Sequence, residues 1–241
     1  MPRHIPADDV DEQDRWKRTA AEQAVARVED GMRLGLGTGS TARHVLDVLG
    51  ERRQRGELRD IIGVPTSTAT TEYAGRLGIP LATLDTVPEL DLAIDGADEF
   101  DPALDLVKGL GGALLWEKIV AAAAARFIIV VDESKRVARL GTRAPVPVEV
   151  VPFGWRTLLR RFEALGAVPT LRTGQDGAAF LTDGGHYIVD CAFPDGIADA
   201  AAVEERLRRL TGVVETGLFI GMASTVIVAG DQVDILERSG S

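Results

Sequence analysis

Along the first 135 residues, short apolar runs closed by glycine or acidic residues alternate with stretches whose apolar positions recur every three to four residues. A polar arm over 1–10 precedes a predicted helix over 11–28, with Trp16, Ala20, Ala24 and Val28 on one face. A buried strand is expected at Arg33–Gly37, then a glycine-rich turn at Thr38–Thr41 and a helix through Val45, Leu46 and Leu49. Arg59–Val64 reads as the second strand, closed by Pro65, with Ser67 and Thr68 placed to cap a helix running to Leu77. Short strands follow at Pro80–Ala82 and Leu90–Ile94, then a helix over Ala113–Ala125 and a strand at Phe127–Val131. Strands alternating with helices at this pitch predict an α/β fold with a doubly wound parallel sheet.

The rhythm changes after Pro145. A strand at Val146–Val151, a helix over 154–165, strands at Val168–Arg172, 178–182 and 186–192, a helix over 199–210 and a strand at Gly212–Thr216 make an α+β unit. Its order is that of a split βαβ, ferredoxin-like arrangement. The closing apolar runs Thr225–Ala229 and Val233–Leu236 are expected to return to the first sheet. The expected division is therefore 1–145 plus 217–241 for the larger domain and 146–216 for the smaller.

Composition narrows the function classes. Aromatics are only 5% of the chain, so the core must rest on Val, Leu, Ile and Ala, as suits a parallel sheet covered on both faces. The net charge of −10 argues against a nucleic-acid partner, and it requires any anion site to be a local cluster of amides and lysines. Cys191 is the only cysteine, and His4, His44 and His186 are scattered, so no metal-ligand spacing is expected. Without an apolar leader or a run of about 20 apolar residues, the expectation is a cytoplasmic protein with no membrane partner.

Four polar clusters sit at expected carboxyl ends of strands, where open parallel sheets bind ligands. In Gly35–Thr41, glycines permit close backbone approach, and the following helix N-terminus offers amides alongside the hydroxyls of Thr38, Ser40 and Thr41. A capped strand-to-helix turn explains that segment equally well. A dinucleotide site is disfavoured, since Ser40 replaces the third fingerprint glycine. Asp95-Gly-Ala-Asp-Glu99 crowds three carboxylates, which suits proton exchange; divalent metal binding competes, and Glu99 by itself reads as an acidic turn or helix cap. In Lys108-Gly-Leu-Gly-Gly-Ala-Leu-Leu-Trp-Glu117, a lysine precedes a flexible loop and can stabilise developing negative charge. Glu117 is either a surface glutamate or, desolvated beside Trp116 and Ile119, a general base with a raised pKa. Lys135, after the strand at 127–131, and Lys17, on the first helix, are candidate phosphate cations.

Taken in order, Gly37–Thr41, Asp95–Glu99, Lys108–Ala113 with Glu117-Lys118, and Asp132–Lys135 resemble ribose-5-phosphate isomerase of the A type. Val146–Val150 and Thr216–Phe219 extend the resemblance over nearly the whole chain. It implies a Rossmann-like domain bearing a smaller α+β domain, a homodimer or homotetramer, no cofactor, no metal, and a sugar phosphate as the small-molecule partner. By position it implies Glu117 as the base moving a proton between C1 and C2, with Asp95, Asp98 and Lys108 assisting. Thr38, Gly39, Ser40, Thr41, Gly96, Ala97, Gly109, Leu110, Gly111, Lys135 and Lys17 would hold the substrate and its phosphate. Leu110, Trp116 and Ser224 depart from residues common in the family. Two other classes fit less well. A sugar-phosphate sensing module would need a DNA-binding segment; an amino-sugar-phosphate deaminase would need a histidine near its acid, and an acyl-CoA transferase a coenzyme site.

Overall fold

The structure, a computed structural model, describes residues 7–238. In chain order the larger part begins α1 (Ala7–Val25), β1 (Arg33–Leu36), α2 (Ser40–Gln54), β2 (Ile62–Pro65), α3 (Thr68–Arg76) and β3 (Leu92–Asp95). Two short strands, β4 (Glu99–Phe100) and β5 (Leu106–Val107), lead to α4 (Leu114–Ala122) and β6 (Phe127–Asp132). A second run comprises β7 (Val146–Val150), α5 (Arg156–Glu163), β8 (Val168–Leu171), β9 (Tyr187–Ala192), α6 (Ala200–Arg208) and β10 (Val213–Thr216). Strands β11 (Leu218–Phe219), β12 (Thr225–Ala229) and β13 (Val233–Glu237) complete the chain.

The main sheet has the order β13-β12-β6-β3-β1-β2, all parallel except the antiparallel edge strand β13. The expected doubly wound α/β sheet is present. β3 and β6 are buried at every position, as they must be when helices cover both faces. On α1, Ala20, Ala24 and Val28 beyond its end are buried with Leu34, Val45, Leu46 and Leu49, and Trp16 packs against that core. The chain leaves β1 for β2 on one side and returns to β3 on the other, which makes the β1–β3 junction a switch point with a crevice beyond its carboxyl end.

The second sheet, β10-β7-β9-β8, is antiparallel throughout and draws all its strands from 146–216. With helices after β7 and β9 it is the split βαβ order expected from the sequence. A third, three-stranded sheet, β11-β5-β4, is not expected from the sequence, because two-residue strands leave no periodicity.

Other expectations are corrected. The polar arm is helical from Ala7 onward; residues 1–6 lie outside the described part. Pro80–Ala82 makes one bridge to Gly63 instead of a strand, and 178–182 makes one bridge to Thr173. In the latter stretch Thr182 Oγ1 is used in bonds to Glu149 and the His186 amide, and Gly177 and Gly185 take positive φ, so no regular ladder runs through it.

Candidate active site

The switch-point crevice is built from strand ends. Gly37 follows β1 against Asp95, the last residue of β3; a Cβ there would lie 2.3 Å from the Asp95 carboxylate carbon, so only glycine fits. Asp95 is 2% exposed and accepts the Thr38 amide at 3.1 Å and the Gly96 amide at 2.7 Å. Lys108 sits just past β5, its backbone N–H donating to the Gly217 carbonyl at 2.9 Å. Its Nζ lies 3.0 Å from Asp95 Oδ2 and 3.3 Å from Glu117 Oε2, and donates to the Gly96 carbonyl at 2.6 Å. Glu117 sits in the first turn of α4 and is 4% exposed. Among the described residues its buried Oε2 has no hydrogen-bond partner and faces only the Lys108 ammonium, as an ion pair.

Three buried ionisable side chains sharing one site control one another's protonation. Burial pushes the Glu117 carboxyl up to about 8, partly opposed by the Lys108 ammonium and reinforced by Asp95. Burial also raises Asp95, against the pull of Lys108 and two amide donors. Lys108 is held above its ordinary value: burial acts to lower it, but the two carboxylates beside it outweigh that effect. The Lys108 ammonium occupies the position between Asp95 and Glu117 that a divalent cation would need. Among the described residues no group of three or more His, Cys, Asp or Glu side chains is arranged to hold a metal.

A cleft of about 160 Å³ opens on Lys108 and Glu117. Thr38, Gly39, Ser40 and Thr41 line it from the first loop, and Gly96, Ala97 and Asp98 from the second. Lys108, Gly109, Gly111 and Glu117 line it from the third, with Lys17 of α1 and Lys135 at the far side. The structure thus brings together residues spread from 17 to 135. A larger cavity of about 470 Å³ lies beside the Thr38–Ser40 loop, walled by Arg43, Tyr73 and Arg76; Asp95, Lys108 and Glu117 do not line it, so it is not where the proton chemistry is assembled.

Three expected site residues play different parts. Asp95 lies beneath the cleft and meets it through Lys108. Leu110 does not line the cleft: its side chain is 43% exposed, while its amide donates to Asp98 Oδ2 at 3.0 Å. Thr38 lines the cleft while its hydroxyl joins a cluster with Thr66, Ser67 and Thr70, at 2.7, 2.8 and 3.0 Å. Glu99 is neither an exposed turn nor a cap. It is fully buried in β4 and accepts the amides of Gly141, Arg143 and Ala144.

Sequence reasoning missed Gln13, which lines the cleft, and the hydroxyl cluster, whose signal was the run Thr66-Ser-Thr-Ala-Thr70 just past a strand end. It also missed Lys118, whose buried Nζ bonds Glu215 and the carbonyls of Thr216 and Leu218, at 2.8, 2.7 and 2.9 Å. Burial lowers its pKa.

The family model for ribose 5-phosphate isomerase A (phosphoriboisomerase A) matches residues 62–233. Ribose-5-phosphate isomerase A of Synechococcus sp. (strain JA-3-3Ab) is 54% identical over 228 residues, covering 94% of this chain and 98% of its own. The chain belongs to the ribose-5-phosphate isomerase A family. A probable ribose-5-phosphate isomerase of Arabidopsis thaliana is 50% identical, with 91% of this chain and 84% of the relative covered. Among solved members of the family, a D-ribose-5-phosphate isomerase in complex with phospho-erythronic acid matches with a TM-score of 0.90 at 43% identity, covering 93% of this chain and 98% of that one. The Plasmodium falciparum ribose 5-phosphate isomerase matches with a TM-score of 0.91 at 37% identity, over 94% and 100% of the two chains.

Proposed function

We propose that this protein interconverts D-ribose 5-phosphate and D-ribulose 5-phosphate through a cis-enediol(ate), as an isomerase of the non-oxidative pentose phosphate pathway. The observation that carries the reading is the buried Oε2 of Glu117, ion-paired at 3.3 Å to the Lys108 ammonium and without a hydrogen bond among the described residues, in a cleft also lined by Lys17 and Lys135. The open-chain aldose has a weakly acidic C–H at C2. Glu117, as carboxylate, takes that proton; the electron pair forms the C1–C2 double bond and charge passes to the carbonyl oxygen. The O2 proton passes to O1, so that C2–O2 becomes the ketone carbonyl as the same carboxyl returns its proton to C1. Lys108 stabilises the oxyanion, and Asp95 keeps Lys108 charged and placed. Asp98, on the cleft wall, handles a substrate hydroxyl and assists ring opening. General acid–base catalysis contributes about 10²–10⁴-fold, and one oxyanion donor about 10²–10³-fold.

Lys135, Lys17 and the amides at Ser40 and Thr41, at the start of α2, form the phosphate end of the proposed site. The relative solved with phospho-erythronic acid supports a phosphosugar ligand, because that acid carries its carboxylate charge where an enediolate would carry its own. The proposal includes a homo-oligomer, a cytoplasmic setting, and a division of labour between 1–145 plus 217–241, which carries the catalytic cleft, and 146–216.

Incubating EDTA-treated protein with ribose 5-phosphate in deuterated water tests the reaction. The expected outcome is ribulose 5-phosphate with solvent deuterium at C1. No ketose, or an absolute need for added metal, would overturn it.

A further inference from the structure

Arg172, one residue past β8, reaches from the four-stranded sheet to the loop that carries Lys108. Its Nη1 donates to the carbonyl oxygens of Gly109 at 3.0 Å and Leu110 at 2.9 Å. Its other face pairs with both carboxylate oxygens of Asp190 on β9, with Nε 2.9 Å from Oδ2. The Phe180 ring lies 5.9 Å from the guanidinium carbon and also closes on Gly112, where a Cβ would fall 2.5 Å from the ring. The Arg172 side chain is 13% exposed and does not line the cleft.

A trans peptide is planar, so a carbonyl and the N–H that follows it point in opposite directions. Holding the Gly109 carbonyl therefore turns the Leu110 N–H the other way, and there it meets Asp98 at 3.0 Å. Holding the Leu110 carbonyl turns the Gly111 N–H away from Arg172 in the same manner, on the residue that lines the cleft. Glycines at 109 and 112 take φ of 102° and 87°, and the Gly109 carbonyl also accepts the Gly112 amide at 3.0 Å, so Arg172 acts on a glycine turn that already closes on itself.

We propose that Arg172, braced by Asp190, is a positioning residue for the isomerisation: it fixes two peptide planes of the 109–111 loop, aiming one amide at Asp98 and the next into the cleft. The proposal rests on the functional reading above. A guanidinium is the group for this task, since its planar fork spans a carboxylate on one side and two carbonyls on the other.

The test is steady-state kinetics on ribose 5-phosphate with wild type, Arg172→Ala and Arg172→Lys, alongside thermal melts and amide exchange of Leu110. Misaimed donors cost rate more than binding, so Arg172→Ala should lose about 10–100-fold in kcat with KM within about threefold of wild type. Leu110 exchange should rise, and added ethylguanidinium should restore part of the rate. Arg172→Lys should stay impaired, because an ammonium cannot span the fork, and it reads the same quantities if the alanine variant does not fold. Folded variants with wild-type kcat, or a loss of rate that follows melting temperature and resists ethylguanidinium, would overturn the role. A wild-type protein that fails to turn over ribose 5-phosphate would overturn the functional reading and this role with it.

Discussion

At the scale of single residues, the chemistry turns on the cost of holding Glu117 ionised where it is buried. Its pKa, pushed to about 8 from 4.5, makes the base form scarce in acid, so kcat/KM should rise with pH along a limb near 8 rather than near 4.5. Stability runs the other way. The folded state binds this proton more tightly than the unfolded chain does; the contribution is complete below 4.5 and is lost as pH rises through about 8. Glu117→Gln should therefore lower kcat about 10²–10⁴-fold with substrate binding retained. Its melting temperature should gain on wild type between about pH 5 and about pH 9, read by thermal melts across that range. Wild-type turnover in this variant would remove Glu117 from its role. At the phosphate end, Lys135→Ala should raise KM about 10–100-fold with little change in kcat, the worth of one hydrogen bond to a charged group; an unchanged KM in initial-rate assays would sink that assignment.

At the scale of elements, the site is a meeting of strand ends, and glycine sets how closely they meet. Gly37 after β1 abuts Asp95 at the end of β3, with no room for a methyl group. Gly37→Ala should displace the Asp95 carboxylate, loosen its hold on Lys108, and cost about 1–3 kcal/mol through overpacking. Denaturant unfolding measures the stability loss, and initial rates should show an accompanying fall in kcat. Helix capping acts at the same scale: Ser67 accepts the Thr70 amide at 3.0 Å, as the sequence led us to expect, which fixes the start of α3 beside the Thr38 hydroxyl. The strands expected at 80–82 and 178–182 are instead single bridges, since apolar alternation over a few residues cannot reveal whether a partner edge is free.

At the scale of the whole molecule, the two main sheets share material. The core beneath the four-stranded sheet is completed by Val107, Val137, Leu140 and Leu218, which lie outside 146–216. Lys118 of α4 anchors on β10 and β11, and Arg172 ties the small sheet to the loop before α4. Scanning calorimetry should therefore give a single cooperative transition rather than two. The same analysis with a saturating phosphosugar acid should shift that transition upward as a whole, by about 2.7 kcal/mol at a hundredfold excess over Kd. By itself the sequence determined the doubly wound sheet, the split βαβ insertion and the loops at the strand ends, because apolar periodicity, glycine and capping hydroxyls are local signals. Lys17, Asp98, Lys108, Glu117 and Lys135, singled out from the sequence, line one cleft. Only the tertiary structure decided between a solvated and a buried Glu117, since desolvation depends on what covers α4 from elsewhere in the chain. Only tertiary structure, likewise, drew the Thr38 hydroxyl into its cluster with Thr66, Ser67 and Thr70, sent Leu110 outward and brought Arg172 across 62 residues to its carbonyl. Those outcomes depend on contacts between distant segments, and no local pattern records them.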